Sequence, residues 1–469
     1  MGIHRMGRVT MARAILLTCL LLPICVWAAP GDQVWSYNAT GSVNVGPAVV
    51  GGRVYCANTE GLVFCVEASD GSFVWSYQLP TYTFSSPLVD GGYVYIGCWN
   101  NYMYCLNADT GAFVWSYNTG GAIMNAAALA GGKVFVGNYD QWMYCLDASA
   151  GTRTWYTPMW GDILAAPAVV DGHVYVGDDW AYMNCLNAGT GAIEWEYSTG
   201  DGIVSSAAVS EGRIFVGSDD YSLYCLELDG DLIWSCATGG LIGSSPAVGG
   251  GFVYFTSNDG VLRCLDVVTG DLEWSYTIGG LLPASPAISG PYVYAVDTLG
   301  LLYCFDRADG SLEWTWIPPG IPPTAVRSSP ASAGGYVYVG CTDGYLYCIE
   351  AGAGDPGEWP MFRHDLARSG EHSPTPPPSF ALDHGWNLIG SGALDPTPLA
   401  DYSLTDGVET KSWSDALGAG WVQNIVFYYD LKYLECRADG LGADDQLRPC
   451  FGYWLLTYRA GLSLLIPRP

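Results

Sequence analysis

Positive charge is scarce in this chain. Its 469 residues include 18 Lys and Arg against 46 Asp and Glu. So acidic a balance repels phosphate, which argues against nucleic acid as a partner and against charge-driven docking on an anionic membrane. The plain reading of the excess is a solubilising acidic surface. Past the N-terminus no apolar run is long enough to span a bilayer. No two cysteines are adjacent, and there is no HExxH motif, no GxSxG motif and no close-spaced Asp loop of the calcium type. Histidine is rare too: there are five, two of them His4 and His364, while His173 falls in a strand pattern. No catalytic residue, metal ligand or cofactor is expected.

The N-terminus reads as an export signal over residues 1–28. His4, Arg5, Arg8 and Arg13 make a basic start, Ala14 to Trp27 is apolar but short, and Val26-Trp27-Ala28 offers a cleavage site after Ala28. Met11 is an alternative start. Cys25 follows Leu-Pro-Ile, without the small residue that lipoprotein processing prefers. A free protein of the periplasm, cell surface or extracellular space is expected. Losing Arg5, Arg8 and Arg13 leaves 15 basic against 46 acidic residues, a net charge of −31.

What is abundant repeats. Trp35, Trp75, Trp115, Trp155, Trp195, Trp234, Trp274 and Trp314 follow one another at intervals of 40, with a single 39. Cys65, Cys105, Cys145, Cys185, Cys225, Cys264, Cys304 and Cys348 make a second series. Tyr55, Tyr95, Phe135, Tyr175, Phe215, Tyr254, Tyr294 and Tyr338 make a third. Within one unit, Ala166–Val170, His173–Gly177, Tyr182–Leu186 and Ile193–Tyr197 are four short strands separated by turn residues such as Asp171-Gly172 and Gly189-Thr190-Gly191. A four-stranded meander cannot bury both faces alone, but radial stacking of such units can. The predicted fold is all-β, an eight-bladed β-propeller. The last unit, near residues 326–350, lacks a fourth strand, and the chain opens with a lone one, Gln33-Val34-Trp35-Ser36-Tyr37. That strand is expected to complete blade eight and close the ring. Glu358-Trp359-Pro360-Met361-Phe362 competes for the slot, but Pro360 would remove a ladder hydrogen bond.

Ser285-Pro286-Ala287, Val337-Tyr338-Val339-Gly340, Tyr104-Cys105-Leu106-Asn107-Ala108 and Thr110-Gly111 with Trp115 resemble, in that order, the strand motifs of the pyrroloquinoline-quinone-like (PQQ-like) propeller repeats. The resemblance recurs through residues 31–350. It implies one of two kinds of protein. Quinoprotein dehydrogenases of this family hold a quinone and calcium over the central channel, carry long inserted loops and commonly have a vicinal cysteine pair. Scaffolding members of the outer-membrane assembly kind bind a partner protein through loops on one face. The minimal loops and the missing cysteine pair point to the second kind. The expected function is an exported, non-catalytic binding or scaffold module for protein or glycan partners at the cell envelope, monomeric, with a quinone-dependent dehydrogenase as the alternative.

After a proline-rich linker, residues 373–383, the repeat disappears. Residues 384–469 hold short aromatic and branched runs between Gly, Asp and Pro, and read as a small C-terminal β-domain. Cys436 and Cys450 within it are a candidate disulfide. In the propeller, Cys56, Cys98 and Cys341 could face Cys65, Cys105 and Cys348 across hairpins, but at separations of 9, 7 and 7 at most one set can be directly opposed. The eight serial cysteines are read as buried thiols acting as small apolar residues.

One rim carries the candidate site. The turns between second and third strands read Trp99-Asn100-Asn101-Tyr102, Tyr139-Asp140-Gln141-Trp142, Asp178-Asp179-Trp180 and Asp219-Asp220-Tyr221 in blades two to five. Blades six to eight have plainer turns, such as Asn258-Asp259-Gly260. Aromatic faces beside amides and carboxylates suit a glycan or a protein hot spot. An ordinary Asn/Asp turn with a covering aromatic is the competing reading.

Overall fold

The computed structural model describes residues 28–298, 300–319 and 328–352 with their side chains; further on, only the backbone of individual strands is described. The expected signal peptide, apart from Ala28, and the competing segment around Trp359 lie outside the described residues. In seven sheets four sequential strands form an antiparallel meander, and in an eighth three sequential strands are joined by the N-terminal one. Blade 2 is representative: Leu88–Asp90, Tyr93–Gly97, Tyr102–Asn107 and Phe113–Asn118. The first strands of neighbouring blades touch all the way round, including those of blades 8 and 1, so they line the axis of a closed ring. The described residues contain no helix. Among the described residues no helix is long and apolar enough to cross a membrane.

Burial follows strand position. Second and third strands are sandwiched between neighbouring blades, so nearly every residue is buried, which explains continuous apolar runs such as Met103-Tyr104-Cys105-Leu106. Fourth strands are exposed except on one face, where the tryptophan turns inward.

The three sequence series prove to be one row. Tyr55 pairs with Cys65, and Cys65 with Trp75; the same triplet recurs in every blade. Directly opposed residues share a sheet face, and the small cysteine lets the flanking rings meet above it, at centroid distances of 5.8 to 6.1 Å in all eight blades. All eight of these thiols are buried and free. Burial pushes those of Cys65, Cys105, Cys185, Cys225, Cys264 and Cys348 up to about 12 and that of Cys145 up to about 11, so they behave as small apolar side chains. None faces another cysteine. The strand register sets Cys56 opposite Phe64 and leaves Cys98 and Cys341 beyond the ends of their ladders, so none of the three directly opposes its repeat cysteine.

Each tryptophan also reaches the next blade. The indole Nε1–H of Trp75 donates to the Ala108 carbonyl at 2.8 Å, and six others repeat the bond 33 residues downstream. Over the ring lies a glycine of the next blade's outer turn. A Cβ on Gly111, which has φ +70°, would fall 2.5 Å from Trp75. Both a left-handed backbone and the close approach therefore require glycine there.

The N-terminal strand, Gln33–Asn38, completes blade 8 beside Tyr345–Glu350, with Trp35 opposite Cys348 as expected. It also rebuilds the missing turn without a covalent link. Gly31 N–H donates to Glu350 O at 2.8 Å and Glu350 N–H to Asp32 O at 2.9 Å, as Gly71 and Glu67 do within blade 1. Gly31, at φ +87°, lies over Trp314 just as Gly71 lies over Trp35. Trp314 Nε1 alone of the eight indoles has no acceptor.

Residues 373–469 form a separate compact unit. Its strands make two four-stranded sheets and one two-stranded ladder, with Val422–Asp430 and Gly452–Thr457 at the centre of one sheet. Cys436 lies opposite Phe427 in that sheet, whereas Cys450 falls outside the described residues, so the candidate disulfide is not placed. Within the propeller unit, Glu371–His372 runs parallel beside Val209–Ser210 on the inner edge of blade 5.

Closure by this strand has a measurable consequence. Trp35→Ala should cost about 3–5 kcal/mol in chemical denaturation, as large core truncations do, and removal of residues 29–40 should abolish cooperative unfolding by stripping blade 8 of its outer strand and baring the edge of Tyr345–Glu350. Removal of residues 380–469 should leave the propeller transition in place. A propeller that melts unchanged without residues 29–40 contradicts this closure.

Candidate functional site

The meander returns the chain to the same end of the ring twice per blade, once at the turn between second and third strands and once at the connection into the next blade. The two are joined by a backbone bond in each of blades 1 to 7: Trp99 N–H to Tyr82 O, Tyr139 to Ala122, Asp179 to Asp162 and Asp219 to Gly202 are the four in blades 2 to 5. Their side chains form one face around the channel mouth.

Left-handed backbone marks the same four blades. The last turn residue has φ near +65 to +97° everywhere, and in blades 1, 6, 7 and 8 it is Gly61, Gly260, Gly300 and Gly344. In blades 2 to 5 it is Asn101, Gln141, Ala181 and Tyr221. Ala, Gln and Tyr tolerate this region poorly, at about 1–2 kcal/mol each. Folding alone would favour glycine at all eight positions.

The sequence-nominated residues separate into two groups. Trp99 is 43% exposed and meets Phe84 edge-on at 6.5 Å and Tyr139 at 6.0 Å. Trp180 is 61% exposed, and Tyr221 is exposed as well. Asp140 and Asp179 are exposed; Asp179 accepts the Asp162 N–H at 2.7 Å. Asp219 and Asp220 are half-buried, the latter accepting from Tyr224 Oη and Gly200 N. The rest serve the fold. Asp178 is fully buried and accepts the Trp180 and Tyr182 N–H groups and the Asn184 amide. Asn100 ties its turn to Tyr104 Oη and to the Tyr102 N–H. Tyr102 and Trp142 are not turn residues: each begins a third strand, half-buried, Tyr102 beside Tyr104 and Trp142 against Tyr156 at 5.0 Å. The turn ends one residue earlier, at the left-handed Asn101 and Gln141.

The blade connections supply residues that turn-by-turn reading missed: exposed Tyr82, Phe84 and Trp160, and the carboxylates Asp162 and Asp201. Trp160 Nε1 donates to Glu196 at 2.8 Å. The signal was present as a second series 17 residues before each turn.

Charge on this face is uncompensated. Burial, then Asp179, Gln141 notwithstanding, pushes the Asp162 carboxyl above the ordinary range; burial, then Asp201 and Asp220, does so for Asp219. Blade 6 shows the contrast. Burial opposes ionisation of Asp259, yet Arg263, the Gly239 N–H and Ser257 hold its carboxyl down at about 2.

At the axis, a cavity of about 200 Å³ is lined by residues from all eight blades. Serine hydroxyls bridge neighbouring blades there: Gly46 N–H donates to Ser86 Oγ, Ala166 to Ser206, Ser206 to Ser245, Ser245 to Ser285 and Ser285 to Ser329. Asn44 and Asn125 each leave a buried amide oxygen without a donor. The described lining includes no carboxylate, Lys or Arg. Calcium needs several oxygen ligands, carboxylates among them, and a polyanionic quinone needs cationic partners. These residues do not fit that cofactor pair.

The family model for the β-propeller of the β-alanine-activating enzyme matches residues 88–351, more than half of the chain. The model for outer membrane protein assembly factor BamB matches residues 24–127. The chain belongs to the PQQ-like β-propeller family. Among solved structures, BamB from Moraxella catarrhalis superposes with a TM-score of 0.61 at 18% identity, over 68% of this chain and 99% of that one. The computationally designed Ika8 protein gives 0.61 at 16%, over 68% and 100%. Quinohemoprotein alcohol dehydrogenase from Comamonas testosteroni gives 0.55 at 18%, over 70% and 77%. At these identities the likeness is one of fold. No curated protein matches the chain significantly.

The raised carboxyls carry a sign that can be checked. A carboxyl that titrates higher in the folded than in the unfolded state weakens folding at neutral pH and ceases to do so as pH falls through its folded value. Asp162→Asn and Asp219→Asn are therefore expected to raise Tm at pH 7, with the gain shrinking toward about pH 4, near the unfolded carboxyl value. A Tm gain that is the same at both pH values contradicts the electrostatic reading.

Proposed function

We propose that this PQQ-like propeller is an exported, non-catalytic binding or scaffold module of the cell envelope, which holds a protein partner on its connecting-loop face. One observation carries the reading. Four consecutive blades replace glycine at a left-handed turn position, and the same four blades present open aromatic rings and unpaired carboxylates on one rim. Exposed aromatics clustered on one face lose apolar hydration when covered, so such a face favours a partner. The match to an outer membrane assembly factor supports the same class of role and the same compartment. A glycan is the other occupant such a rim could accept.

Quinone-dependent oxidation is the alternative, and it draws on fold likeness to an alcohol dehydrogenase. The channel lining argues against it on chemical grounds, as described above.

Two measurements test the proposal together. Protein supplied with pyrroloquinoline quinone and calcium is expected to leave alcohols and aldose sugars unoxidised; turnover would overturn the reading. The double variant Trp99→Ala/Trp180→Ala should keep its Tm within about 2 °C, as surface changes do, while losing the envelope proteins that co-purify with the wild type. A variant that unfolds makes these rings packing residues. A folded variant with unchanged partners places the site elsewhere.

A further inference from the structure

The face is not uniform around the ring: aromatic rings touch one another over blades 2 and 3, while carboxylates gather over blades 4 and 5 among the exposed rings of Trp160, Trp180 and Tyr221. Phe84, Trp99 and Tyr139 form a continuous aromatic ledge over blades 2 and 3, through ring contacts of 6.5 and 6.0 Å. Tyr139 borders the acidic part, since the Asp162 and Asp179 carboxylates act on its phenol after burial does. The Asp162 N–H bonds Asp179, the Asp179 backbone lies within 3 Å of where a Gly202 side chain would begin, and Gly202 O accepts the Asp219 N–H. The acidic ledge thus continues the aromatic one through blades 4 and 5 without a break.

Cations are missing from that ledge. The ion pairs among the described residues are Arg53–Glu67, Arg53–Asp109, His173–Glu194 and Arg263–Asp259, and none involves Asp162, Asp179 or Asp219. Carboxylates crowded together with no counter-ion, two of them (Asp162 and Asp219) half-buried, destabilise one another; a ligand cation removes that penalty and gains charge-assisted hydrogen bonds. Aromatic faces next to them accept an apolar side chain or a guanidinium.

Resting on the binding role proposed above, we infer that this composite ledge seats a basic peptide segment of a protein partner, with Lys or Arg on the carboxylates of blades 4 and 5 and an aromatic or large apolar side chain on the rings of blades 2 and 3. A neutral glycan would cover the rings and leave the carboxylates more desolvated and still unpaired. A second copy of this chain is disfavoured by charge, since each copy carries a formal −28. An anionic membrane is repelled for the same reason.

The test titrates three fluorescein-labelled octapeptides, of alternating Lys-Trp, Glu-Trp and Lys-Ser, into the full-length protein near physiological salt, with chitohexaose as a competitor. The Lys-Trp peptide is expected to bind, the Lys-Ser peptide about tenfold more weakly or worse, and the Glu-Trp peptide not at all. Asp162→Asn/Asp179→Asn and Trp99→Ala should each weaken the Lys-Trp peptide about tenfold, while Asp70→Asn/Asp109→Asn, on the outer turns at the opposite end, changes nothing. Thermal melts confirm that each variant is folded. Equal loss from both carboxylate pairs means diffuse attraction and overturns the inference. Chitohexaose binding that needs Trp99 but not the carboxylates also overturns it, yet leaves the binding role standing. If neither the peptides nor the sugar bind up to about millimolar levels, both readings fall.

Discussion

Everything in the propeller depends on how one tryptophan per blade is held by the next blade. A single four-stranded meander leaves both faces of its middle strands bare, so no blade is stable alone. The tryptophan meets that constraint twice. Within its blade it lies against the Tyr or Phe ring over a cysteine, and across the gap it slides under a glycine and donates to a backbone carbonyl. Each of the three residue types is required by the same geometry. A larger residue than cysteine would part the rings, a side chain on the glycine would strike the indole, and another aromatic would lose the N–H bond. At about 0.5–1.5 kcal/mol per hydrogen bond and a similar amount per ring pair, seven complete contacts stabilise the ring on the scale of a whole domain's net stability.

The eighth contact falls where the first and last strands of the propeller meet. There the outer turn is made from two separate segments, Pro30-Gly31-Asp32 and Glu350, and the buried Nε1 of the half-buried Trp314 ring has no acceptor. An orphaned buried donor costs about 1–3 kcal/mol. The boundary between blades 7 and 8 is thus the weakest in the ring, and the end of the ring opposite the aromatic–acidic face carries this cost. The face itself sits on blades 2 to 5, whose interblade contacts are complete, so it rests on a rigid support.

The architecture was legible because one spatial relation repeats at one sequence interval. Trp, Cys and Tyr recur together every 40 residues, and the lone opening strand with Trp35 was enough to place the ring closure. The site was less so. Trp142 and Tyr102 sit next to turn residues in sequence, but the turn closes at Gln141 and Asn101, and the next residue already belongs to a strand facing its outer neighbour. Asp178 looked like a rim carboxylate and is instead the buried acceptor that shapes its turn. Phe84 and Asp162 escaped notice because they belong to the connections between blades, which reach the same rim only once the meander has folded. Hairpin register likewise separated Cys98 from Cys105, which spacing alone left open.

Hydrogen exchange at the ring indoles tests the account most directly, read by nitrogen-15 NMR on tryptophan-labelled protein. The account predicts slow exchange at Trp35, Trp75, Trp115, Trp155, Trp195, Trp234 and Trp274, each bonded across a blade boundary, and faster exchange at Trp314. Eight indoles exchanging alike, or a fast Trp35, would contradict both the interblade bond and the closure of the ring by the N-terminal strand.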